Sequence, residues 1–257
     1  MRAGVIVLGP LLASALLAGA GALSGCAAAR AEQELRALPE HWDTLHPQEF
    51  AALALELTTA PWEGSARSEL ANLAAGRDEV SVRAVVLLAH DPSPDASAAL
   101  LALLTRRQTA PARGLEGAEI TAAAALADRP LLPGQVAELT ELASQPAPHP
   151  TLDVRVECAL AALQHGDATV APFLIRVLRA RTPAEREDPP DWEPIDTLAW
   201  PKHRAAAGLA AFLGTDDRFR PDGSWQHQVD EAARLEELLA QRPREADLER
   251  SDRQDPR

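Results

Sequence analysis

Val154-Arg155-Val156-Glu157-Cys158-Ala159-Leu160-Ala161-Ala162-Leu163, followed through His165-Gly166-Asp167 by Val170-Ala171-Pro172-Phe173-Leu174-Ile175-Arg176-Val177-Leu178, is the stretch on which the fold turns. Two apolar runs of helical length are separated by a Gly-Asp break, which reads as a helical hairpin. Both runs are too apolar all round to face water on one side, so each helix needs neighbours on more than one side.

The same unit recurs along the chain. Val82–Ala89 leads through Pro92 and Pro94 to Ala96–Thr105, and Ile120–Ala127 leads through Pro130 and Pro133 to Val136–Ala143. His203–Leu213 leads to Trp225–Ala240, and the starts at Val82, Ile120 and Val154 lie 38 and 34 residues apart. Helical hairpins at this spacing predict a solenoid, with an irregular helical bundle as the alternative. Upstream, Pro47–Thr59 is a further helix with Phe50, Leu53 and Leu57 on one face, and Ser65–Ala75 follows, stopped by Gly76. Composition agrees: 46% of residues are hydrophobic but only 4% aromatic, and Tyr is absent, so Ala and Leu must fill the core. Period-two runs of β-branched residues are missing.

The hairpins resemble HEAT repeats, in particular the subgroup first described in phycobilisome lyases. In that subgroup Val-Arg-x-x-Ala-x-x-x-Leu passes through Gly-Asp to Val-x-x-Leu-x-x-x-Leu. Val154-Arg155, Gly166-Asp167 and Val170 to Leu174 match it, with Cys158 at or beside the small core position; Val82-Arg83 matches, and Arg204 starts the fourth unit. Thr121 departs from it, standing where Arg is expected. The resemblance covers roughly residues 78–215. It implies an all-α fold, a short right-handed α-solenoid of HEAT-like helical hairpins over residues 47–241, and it raises an enzyme or enzyme accessory as an alternative function. Shape alone does not transfer activity.

A second motif lies at the other end of the chain. Arg2 precedes an uncharged run, residues 3–24, that closes in Leu23-Ser24-Gly25-Cys26. A positive start, an apolar centre and small residues before a cut are the requirements of a secretory signal. The quartet resembles the lipobox of bacterial lipoproteins. That resemblance implies a signal peptide over residues 1–25, acylation of the Cys26 thiol, and a tether over residues 26–46. Two acyl chains suffice for stable anchoring where one does not. The 22 uncharged residues would also make a helix of roughly 33 Å, long enough to cross a bilayer uncut, though Pro10 interrupts them. Ala27, where an Asp would favour retention at the inner membrane in enteric bacteria, points to the periplasmic side of the envelope and to the outer membrane over the inner.

The net charge of −13 becomes −14 once Arg2 is lost with residues 1–25, and Lys202 is the only lysine. Phosphate backbones are repelled by such a surface, so nucleic acid is not an expected partner. Between the third and fourth hairpins, residues 181–201 hold five prolines, six acidic residues, Trp192 and Trp200. A loop of this length inside an array is functional or mobile. Trp192, flanked by Asp191 and Glu193, is the candidate contact for a partner, or else a cover for the groove; Trp200 is expected to cap the fourth hairpin.

Catalytic patterns are not found: no Gly-rich phosphate loop, HExxH, GxSxG or paired-cysteine zinc spacing occurs. His41, Asp43 and His46 read as a solvated turn, and Arg218 and Arg220 interrupt Asp216, Asp217 and Asp222 where calcium would need carboxylates. Pro221-Asp222-Gly223 reads as a β-turn with Ser224 as the following N-cap, Cys158 as a core residue, and Arg242–Arg257 as a frayed or disordered polar tail. No cofactor, metal or catalysis is expected. The sequence points to a membrane-anchored scaffold or adaptor for an unknown envelope protein, with an abundant structural envelope component as a further alternative.

Overall fold

The computed structural model describes residues 64–76, 79–109, 116–144, 148–181 and 198–252. Among these residues every regular element is helical, and the protein is all-α. The chain divides into two compact units, Met1–Ala99 and Leu100–Arg257.

In the first unit, α1 (Gly64–Ala74) packs against α2 (Glu79–His90). Leu70 and Ala74 of α1 and Ala84, Val85, Leu87 and Leu88 of α2 are buried. The chain turns after α2 on Asp91, whose carboxylate accepts the Ser93 N–H at 2.9 Å. Ser93 then caps α3 (Pro94–Thr109), its hydroxyl accepting the Ala96 N–H at 3.2 Å. The boundary between the units falls within α3.

The second unit continues with α4 (Glu116–Ala127), α5 (Pro133–Ala143), α6 (Leu152–Gln164), a 3-10 turn (Ala168–Val170), α7 (Ala171–Leu178), α8 (Ala199–Leu213) and α9 (Trp225–Asp252). Its centre is α6, in which Val154 and every residue from Val156 to Leu163 are buried. A helix that is apolar on all sides must be surrounded, and α6 packs against α4, α5, α7 and α8. Packing runs α4 on α6 and α6 on α8, and α7 on α9, so alternate helices meet as well as consecutive ones. This is the packing of a generic helical repeat or bundle.

Local chemistry sets the ends. Gly166 (φ 90°) and Gly214 (φ 67°) take left-handed conformations after α6 and α8, which a side chain resists. Beyond each glycine, the N–H of Asp167 reaches the Ala162 carbonyl and that of Thr215 the Ala210 carbonyl, both at 3.0 Å. The expected β-turn is present, with the Gly223 N–H on the Arg220 carbonyl at 3.0 Å, and Ser224 caps α9 by accepting the His227 N–H at 3.2 Å.

Several boundaries differ from expectation. The helix expected from Val82 begins at Glu79, one turn earlier, because its first turn mixes Glu79 and Ser81 with Val80 and carries no clear apolar period. The polar stretch after Arg242 is helical to Asp252 rather than frayed from its start; polarity does not oppose helix where Arg, Glu, Ala and Leu dominate. The irregular stretch expected through 201 ends earlier, for α8 starts at Ala199 with Trp200 and Pro201 in its first turn. There Pro lacks only an N–H that no carbonyl of the helix could take.

Candidate functional site

Leu23, Ser24, Gly25 and Cys26, and likewise Asp191, Trp192 and Glu193, lie outside the described residues. Described residues do flank the 182–197 segment. Trp200 is 44% exposed on the first turn of α8, one of two large apolar side chains left so open among the described residues; the other is Leu132. At the opposite margin, the Arg181 guanidinium lies over the Trp225 ring at 4.0 Å, and the Lys202 ammonium lies 5.6 Å from the same ring. Cations over an indole face are attracted by its quadrupole.

Lys202 is buried and donates to Gln228 Oε1 at 3.0 Å. Gln228 in turn donates to the Pro221 and Gly223 carbonyls at 2.9 and 3.3 Å. The only lysine thus joins α8 to α9 and to the turn before it. Sequence reasoning missed this role, although a signal was present: Lys202 precedes Ala205, Ala206 and Leu209 at three, four and seven residues, on the buried stripe of α8.

Two more buried charges were equally hidden. Glu157 of α6, 1% exposed at its side chain, accepts Arg204 Nε and a second guanidinium nitrogen at 2.6 and 2.8 Å. This bidentate pair ties α6 to α8 and raises the Arg204 pKa, first through the hydrogen bond itself. Arg155 Nε donates to the Ala143 carbonyl at 2.9 Å, closing the end of α5, and its guanidinium sits 4.6 Å from the Phe173 ring. The second buried carboxylate, Glu119 of α4, faces Arg107 Nε at 3.7 Å and His149 Nε2 at 3.6 Å, all three nearly fully buried. Burial pushes the Glu119 carboxyl up, against the pull of Arg107, and pushes His149 down to about 4.

Asp167 of the Gly-Asp break accepts from Thr140 Oγ1 of α5 at 2.6 Å and from the Thr169 N–H at 3.0 Å. Burial opposes its ionisation, but the bonds from Thr140 and Thr169 prevail and hold its pKa below the usual value. Cys158 is fully buried, and burial, then the neighbouring Glu157, raises its thiol pKa. That is the environment of a packing residue rather than a nucleophile.

An open hollow of about 630 Å³ on the described surface is lined by Asp217, Arg218, Phe219, Arg220, Gly223, Ser224 and His227. Its polar groups serve the turn: His227 Nε2 meets the Arg218 carbonyl at 3.1 Å, and the Ser224 hydroxyl receives the His227 main-chain N–H. No ring nitrogen is placed to take the serine proton, as nucleophilic chemistry would require. Among the described residues there is no cluster of metal-binding side chains, and no helix is long and apolar enough to cross a membrane. Comparison with protein-family models, with curated proteins and with solved structures finds no match for the chain.

Proposed function

We propose that the protein is a bacterial lipoprotein, cut before Cys26 and held through acyl chains on that residue at the periplasmic side of the envelope, at the outer membrane rather than the inner. The observation that carries this reading is Leu23-Ser24-Gly25-Cys26 at the end of an uncharged run preceded by Arg2. Its body is an interaction scaffold: the Leu100–Arg257 unit is a short right-handed stack of HEAT-like hairpins, and the acidic, Trp-bearing segment at 182–197 offers the partner contact. The packing of α4 on α6 and α6 on α8 supports the stack.

Metabolic labelling with a clickable fatty acid tests the anchor. Label is expected on the native chain and not on Cys26→Ser, and equal label on both ends the lipoprotein reading. Crosslinking in intact envelopes tests the scaffold. Trp192→Ala and deletion of residues 182–197 are expected to lose partners that the native chain retains, and an unchanged set removes that segment from the interface.

A further inference from the structure

One residue, His149, ties the end of α5 to the start of α6 in two ways. His149 donates its main-chain N–H to the Leu142 carbonyl in the last turn of α5 at 2.8 Å. Its ring Nδ1 accepts the N–H of Thr151, the N-cap residue of α6, at 3.2 Å. Since Nδ1 is an acceptor, the neutral ring carries its proton on Nε2, which faces Glu119 Oε2 at 3.6 Å, beyond hydrogen-bond length. The Thr151 side chain makes no cap bond of its own, so the imidazole takes part in fixing the start of α6.

We propose that His149 is an acid-released latch: uptake of a solvent proton at Nδ1 replaces an accepting lone pair with an N–H, breaks the bond from Thr151, and frees the start of α6. The two N–H groups would then point at each other, and the ring must leave. The surrounding charges favour its departure. Arg107 at the end of α3 already faces the Glu119 carboxylate, Arg155 of α6 disfavours a second cation at His149, and Glu116, one turn before Glu119, raises the Glu119 carboxyl further. From α5 the contact is the neutral Leu142 carbonyl. As acid neutralises Glu119, an imidazolium at 149 loses the carboxylate facing it. The buried histidine and the anchor are separate matters, and the latch works on a soluble or a tethered chain alike.

Histidine-selective ¹³Cε1 labelling of the full chain, read by NMR from pH 7.5 to 4 together with amide exchange, tests it. His149, assigned through its own backbone amide, is expected to stay neutral until about pH 4. Exchange at Thr151, corrected for its intrinsic rate, should speed by about tenfold per pH unit on the way down. Titration of His149 near the ordinary histidine value, or titration with no change at Thr151, overturns the latch. In His149→Gln the amide oxygen can accept from Thr151 yet takes up no proton in this range, so the pH dependence at Thr151 should disappear; its persistence also overturns the latch. Should that variant not fold, the native titration decides alone.

Discussion

Glu157 and Glu119 sit on helices of one unit, are almost equally buried, and meet opposite treatment. Glu157 is gripped by both nitrogens of an arginine fork whose outer side reaches water. Glu119 faces an arginine and a histidine that both stop at 3.6 to 3.7 Å, and its Oε1 has no hydrogen bond. Burial therefore does not define what a charge does for a fold. Partner geometry does, because close donors replace the hydration that a buried carboxylate loses and distant ones do not.

The comparison can be broken at its strong side first. Arg204→Ala should leave Glu157 buried without its fork and cost about 3–4 kcal/mol in urea unfolding, toward the low end for a buried pair because Arg204 is 41% exposed. A loss under about 1 kcal/mol would place this pair with ordinary surface bridges.

Acid tests the weak side. His149 has a folded pKa near 4, below its unfolded value of 6.5, so the stability due to its neutral burial is complete above pH 6.5 and is lost as pH falls toward 4. Alone this amounts to at most about 3 kcal/mol. Glu119 works in the opposite sense: its folded pKa is raised, and the folded state takes up its proton first as pH falls, which returns part of the loss. Urea unfolding between pH 7 and 5 should therefore show a shallow decline, and Glu119→Gln, which removes the offset, should steepen it.

Gly208 of α8 sharpens the comparison at the interface that the strong pair serves. A Cβ there would run into the Leu160 side chain of α6, whose tip can move only at the expense of packing. Gly208→Ala should cost about 1–2 kcal/mol by thermal unfolding. The smallest effect at pH 7 is expected from Glu119→Gln, within about 1 kcal/mol of the native chain and with either sign, since it removes a charge that lacks close donors. Glu157→Gln should be clearly worse, by about 2 kcal/mol, because the amide keeps one accepting oxygen and turns a donor toward the second arginine N–H.

Helix positions were legible wherever the apolar period reached water on one side or filled a run completely. The runs at 154–163 and 203–213 appear as α6 and α8 with their glycine stops in place, since a left-handed residue after a helix is a local requirement. Boundaries were less legible, as at Glu79 and Ala199, where the first turn mixes polar and apolar residues or holds a proline. Cys158 was placed in the core by its apolar neighbours alone, and it lies there.

The sequence by itself determined that the chain is helical and that its helices must pack on several sides, because period and composition are properties of each segment and water acts on each segment separately. Only the tertiary structure decided which charges would be buried together. Glu157 and Arg204 are 47 residues apart, and Glu119 and His149 are 30 apart. Neither pair carries a local pattern, because the distance between two side chains on different helices is fixed by how those helices cross and not by anything written beside either residue.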